Sequence, residues 1–96
     1  MPARKAAPAA GADDARRELV LRLKRVEGQL RAVQRMIEEG RDCEPIAQQL
    51  AAARKALDSA FFELMACAIQ HPEFSSGGEA DAQRVQRLTR ALAKLA

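Results

Sequence analysis

The feature that most constrains this 96-residue chain is a spacing. Leu19, Leu23, Val26, Leu30, Val33 and Ile37 follow one another at intervals of 4, 3, 4, 3 and 4, and Ile46, Leu50, Ala53, Leu57, Ala60, Leu64 and Cys67 repeat the alternation. Apolar residues at that period line one stripe of an α-helix and do not fit a strand, whose period is two. The chain is therefore read as all-α, with three helices. The first is expected over about residues 14–39, capped by Asp13 or Asp14 and stopped by Gly40 in a left-handed conformation. Such a helix is roughly 37 Å long at 1.5 Å per residue. The second is expected over about 43–70, with Asp42 as its cap and Pro45 in its first turn, where a missing amide hydrogen costs nothing. Phe61, Phe62, Met65 and Ile69 widen its stripe, so it should touch more than one neighbour. Pro72 biases His71 away from helical geometry, and PEFSSGGE reads as a loop. A third helix is expected over about 79–95, with Val85, Leu88, Leu92 and Leu95 as its seam. Residues 1–13 have no periodicity and read as a flexible arm, leaving 14–96 as one helical domain.

A chain this short has little apolar material for a private core, and it contains no Trp or Tyr and three Phe. Its 48% hydrophobic residues are dominated by Ala and Leu, which favours aliphatic helix packing. Two long striped helices and one short one fit an antiparallel dimeric four-helix bundle, assembling further as a dimer of dimers. No apolar run approaches the about 18 residues needed to cross a bilayer, and no signal peptide is visible. A cytoplasmic protein without membrane contact is expected. Its two cysteines then read as thiols and not as a permanent staple.

The net charge of +3 permits a polyanionic partner without demanding one. Its distribution says more. Arg17, Lys24 and Arg31 are seven apart and Arg35 follows four later, so all four project from one side of the first helix, flanked by Arg22 and Arg25. The second helix adds Arg54 and Lys55, and the third adds Arg84, Arg87, Arg90 and Lys94. Such a row can track phosphates, each neutralised phosphate releasing condensed counterions. The competing explanation is a solvated face paired with Glu18, Glu27, Glu38 and Glu39. No helix-turn-helix, zinc-finger or RNA-binding aromatic signature is present, so DNA contact would use a plain helical surface. There is no base–nucleophile constellation or phosphate loop, which argues against an enzyme.

Cys43 falls in the first turn of the second helix, where unpaired amides and the positive helix end favour an anionic sulfur, with Arg41 nearby. Cys67 lies on the apolar seam, where a buried hydrophobic role competes with a chemical one. The two are 24 residues apart on one helix, roughly 36 Å, so they meet only across subunits of an antiparallel dimer. Glu63, Cys67 and His71 follow at i, i+4 and i+8. Cys43 of one chain with Cys67 and His71 of the other would suit Cu(I) or Zn(II), although a solvated or capping role competes for His71. No cofactor is obligatory.

The run RLKRVEGQLRAVQRMIEEGRDC, followed by IAQQLAAARKALD, resembles the copper-sensing operon repressor family, which also includes nickel/cobalt-, formaldehyde- and persulfide-sensing members. The likeness covers about residues 16–71, with the RVEGQ segment, the Asp-Cys pair and the QQL-A segment in the same order and spacing. It implies a disc-shaped, all-helical tetramer that binds operator double-stranded DNA when unliganded and releases it when an effector engages an intersubunit cysteine site. Cys43 matches the family's effector cysteine. Copper-sensing members carry His and Cys at the positions of Ala68 and Pro72, so both copper partners are absent there. Cys67 and His71 keep the separation of four with the order reversed and the register shifted by one, a rotation of about 100°. Persulfide-sensing members place their second cysteine at the position of Pro72, and formaldehyde-sensing members use an N-terminal proline amine, whose place Pro2 takes if Met1 is removed, although the arm here is longer. The function expected is a homotetrameric transcriptional repressor acting through Cys43 and Cys67 of the neighbouring chain. Thiol modification or disulfide/persulfide formation ranks ahead of Cu(I) or another thiophilic metal. The alternative is a helical scaffold that binds no DNA and whose thiols are structural.

Overall fold

The computed structural model describes residues 11–74 and 79–96, which form three α-helices and one short 3-10 turn. They are α1 (Ala12–Glu38), α2 (Cys43–Gln70), the turn Pro72–Phe74, and α3 (Asp81–Leu95). No strand occurs among the described residues. The arm expected over 1–13 lies outside them as far as residue 10, while Ala12 and Asp13 are already helical.

The helix ends show which local signals acted. α1 is capped by Gly11 with extended backbone, so the expectation of an Asp cap is corrected: Asp13 and Asp14 lie inside the first turn. There they complement the positive helix end and pair with Arg16 at 3.3 Å and Arg17 at 3.6 Å. Gly40 stops α1 as expected, at φ +69°. Its N–H donates to the Ile37 carbonyl at 3.1 Å and the Arg41 N–H donates to that of Met36 at 3.0 Å, the two bonds of a left-handed helix stop. α2 starts after Asp42, whose side chain makes no capping bond. At its far end His71 is extended, as the following proline requires, yet its N–H still donates to the Cys67 carbonyl at 2.8 Å. Part of the expected loop is ordered as the 3-10 turn, closed by the Phe74 N–H on the His71 carbonyl at 3.0 Å; residues 75–78 are outside the described residues. α3 begins at Asp81, two residues later than expected. Ala80 is its extended cap residue, and the Glu79 side chain reaches forward to Arg87 instead of entering the helix.

α1 and α2 form an antiparallel hairpin, with Arg22 facing Glu63 at 3.7 Å and Arg16 donating to the Glu73 carbonyl at 2.8 Å. The hairpin uses only half of each heptad seam. Ala12, Ala15, Leu19, Val26 and Val33 of α1 are buried, as are Ala53, Ala60 and Cys67 of α2. The alternate residues Leu23, Leu30 and Ile37, with Leu50, Leu57 and Leu64, remain 39–59% exposed, and Leu30, Leu50 and Leu57 border an apolar groove of about 460 Å³ floored by Val26 and Ala53. No large side chain among the described residues is fully buried. The radius of gyration is 17.6 Å, against about 13 Å for a compact chain of this size.

The third helix packs on the end of α2, where Met65, Ala68 and Leu88 form a small core flanked by Phe61, Ile69, Phe74, Ala91 and Leu92. Here half of the expected seam needs correction: Leu88 and Leu92 face this core, but Val85 and Leu95 are exposed, and Arg84 and Ala91 join the inward face instead. Arg84, grouped by sequence with a surface basic patch, is 4% exposed. Among the described residues no helix is long and apolar enough to cross a membrane.

Candidate effector and DNA-binding surfaces

The basic row is placed by the same turn that buries the seam. Leu19, Val26 and Val33 each follow a basic residue of the row by two positions, about 200° around the helix. Burying those three against α2 therefore turns Arg17, Lys24 and Arg31 outward, and Arg35 stays exposed with them. Arg17 is paired with Asp14, whereas among the described residues Lys24, Arg25, Arg31 and Arg35 carry no ion pair. The acidic partners Glu18, Glu27, Glu38 and Glu39 do not neutralise the row; Glu39 pairs with Arg41 at 3.6 Å instead. Arg22 differs from its neighbours, being half-buried and held across the hairpin by Glu63, with its Nε lacking a partner. Arg54 and Lys55 are exposed on α2, Arg54 at the rim of the apolar groove.

The thiols fall into different environments. Cys43 is the first residue of α2 and is exposed. It begins a row, because Cys43, Leu50, Leu57, Leu64 and His71 are each seven apart, a stripe that drifts only about 20° per step. The three leucines of that row are the ones left open. Cys67 belongs to the other half of the seam, seven residues beyond Ala60 and fourteen beyond Ala53, and is 7% exposed. Burial, and secondarily the Glu63 carboxylate, push its thiol above the usual value. His71 is half-buried, its ring 6.2 Å from that of Phe74. Among the described residues of one chain, no three His, Cys, Asp or Glu side chains gather as a metal site. Ala68 is buried under α3 and Pro72 opens the 3-10 turn, and neither side chain offers a donor.

The family model described as metal-sensitive transcriptional repressor matches residues 15–94. The chain belongs to that family. The match spans all three helices, which fits the all-helical hairpin and the short helix packed on its end. No curated protein and no solved structure matches the repressor. Membership makes it a transcriptional repressor, and hence a DNA-binding protein, of a metal-sensitive kind.

Two further arginines of the repressor have positional roles that sequence reasoning missed. Arg84 donates from Nη2 to the Ile69 carbonyl at 3.0 Å and from Nη1 to Asp81 at 2.6 Å. A signal for it exists, since Arg84 precedes Leu88 by four and follows Asp81 by three, on the apolar face. Arg16 donates to the Glu73 carbonyl and lies over the Phe74 ring at 4.8 Å. No local pattern announces a contact 57 residues away.

Proposed function

We propose that two hairpins pair antiparallel through the open leucine rows, bringing Cys43 of each subunit to the α2 exit of the other, beside Cys67 and His71 of the partner subunit. The observation that carries this is the row itself. Leu57 is its midpoint, so a two-fold axis there sets Leu50 opposite Leu64 of the partner subunit and Cys43 opposite His71 of the partner subunit. Each leucine is already about half covered, so completing its burial contributes roughly half of the 1.5–3 kcal/mol of full burial, on the order of 1 kcal/mol. Pairs of such dimers then form the homotetramer.

The assembled repressor presents repeated rows of Arg17, Lys24, Arg25, Arg31 and Arg35, with Arg54 and Lys55, to operator double-stranded DNA. The effector acts first at Cys43, the accessible thiol. Thiol modification or disulfide/persulfide formation ranks ahead of Cu(I) or Zn(II) held by Cys43 and by Cys67 and His71 of the partner subunit. Supporting that order, Ala68 and Pro72 supply no ligands where the copper-sensing pattern has them. A small-molecule persulfide passes its outer sulfur to the Cys43 thiolate and leaves as the thiol. The thiolate of Cys67 of the partner subunit then attacks the Cys43 sulfur, expels HS⁻ and closes the disulfide. No enzymatic step is involved.

Operator binding by the reduced protein tests this, repeated with a persulfide donor, Cu(I), Zn(II) and formaldehyde on the parent, Cys43→Ala and Cys67→Ala. Reduced parent should bind its promoter DNA with an affinity that falls steeply with salt. The persulfide donor should release it, while both variants stay bound. Failure of reduced protein to bind, or full release of Cys43→Ala, removes the proposal. Release by Cu(I) alone with both cysteines required reverses the order of effectors.

A further inference from the structure

We propose that Arg16 and Arg84 form a two-armed latch on the exit of α2, fastening α1 and α3 to the same short stretch, Ile69 to Glu73, so that moving this stretch moves both helices. The latch rests on the proposed function only for the stimulus that displaces it.

The last carbonyls of a helix lack intrahelical partners and carry its negative end, and α2 has no basic residue in its own last turn. Arg84 supplies a cation to that helix end, whereas Arg16 holds the 3-10 turn that follows it. From α3, Arg84 reaches the Ile69 carbonyl; from α1, Arg16 reaches the Glu73 carbonyl and covers the Phe74 ring. Between the two anchor points lies His71, and Cys67 is two residues upstream of the first.

The arms differ in kind. Arg84 is buried, its Nε has no partner, and the carboxylate it is bonded to, Asp81, lies largely in solvent. A buried guanidinium this sparsely partnered depends on each bond it has, so losing the Ile69 carbonyl is costly. That arm is made or broken, with little room to stretch. Arg16 is half exposed, shared with Asp13 at 3.3 Å, and is the weaker arm. It is adjacent to Arg17, the first residue of the basic row, so a shift of the α2 exit reaches the DNA-facing side of α1 within one residue.

Hydrogen exchange read by mass spectrometry on the full-length oligomer tests the latch without DNA. It is paired with the rate at which N-ethylmaleimide labels Cys67 in a Cys43→Ser background. Arg16→Met, a change at an exposed side chain, should raise exchange at the first hydrogen-bonded amides of both α1 and α3, from positions 15 and 84 onward. It should also speed Cys67 labelling by roughly two- to fivefold, the order expected for losing a contact of up to about 1 kcal/mol at an exposed site. Arg84→Met should do the same from the other side, with Arg84→Lys between it and the parent. Exchange that rises only in the helix carrying the substitution, with Cys67 labelling unchanged, overturns the latch and leaves two separate tethers. If Arg84→Met does not fold, Arg16→Met alone decides. DNA release is measured in parallel: a parent that binds no DNA fails the proposed function while the exchange result still stands.

Discussion

At Cys67, burial and the Glu63 carboxylate act in the same direction, holding the proton on sulfur beyond the ordinary value of 9.0. The folded chain therefore binds that proton more tightly than the unfolded chain. The associated stability is fully present below 9.0 and is lost as pH rises through the raised folded value. Urea denaturation of reduced protein, taken from below to above that pH, should show the parent losing stability faster than Cys67→Ala; parallel slopes would contradict a buried, protonated thiol. Cys43, exposed at the start of the same helix, is where a thiol reagent should act first. Arginine shows the same dependence on position. Arg31 faces outward, Arg22 is tied across the hairpin, and Arg84 is sealed inside, though all three read as basic surface residues in the sequence.

At the scale of the helix, punctuation was the legible part. Gly40 marked the end of α1 because only a residue without Cβ adopts φ +69° cheaply, and nothing lies within 4 Å of the added Cβ position. Gly40→Ala should therefore destabilise through backbone strain alone, by about 1–2 kcal/mol in urea denaturation; an unchanged midpoint would mean that the turn can re-form without the left-handed residue. Asp42, Pro45 and Pro72 likewise bracketed α2 at the observed Cys43–Gln70. The heptad spacing revealed a stripe on each long helix, but a spacing cannot say how a stripe is divided. That Leu19, Val26 and Val33 face their own hairpin while Leu23, Leu30 and Ile37 stay open is settled by how two helices of one chain pack. On the third helix Leu88 and Leu92 of the expected seam do pack inward, but the buried stripe is turned toward Arg84 and Ala91 and leaves Val85 and Leu95 exposed, a shift that apolar spacing alone does not reveal because the stripe begins with a charge. The kind of protein was legible through the RVEGQ and Asp-Cys resemblance, while the shift of Cys67 and His71 against Ala68 and Pro72 left the effector to experiment.

At the scale of the molecule, the open leucine row decides what the chain must do next. Leu57 lies at its centre, so on the proposed two-fold axis Leu57→Asp sets two carboxylates against each other in an apolar seam. Sedimentation equilibrium should then find the variant dissociated where the parent is associated, and a variant with unchanged mass would place the interface elsewhere. If the proposed pairing holds, folding and association are coupled, and the melting temperature rises with the concentration of the chain itself. Dilution then empties an operator as surely as a ligand does. Under that pairing, copy number becomes an input to the switch, and a subunit stays open to proteolysis until it meets its double.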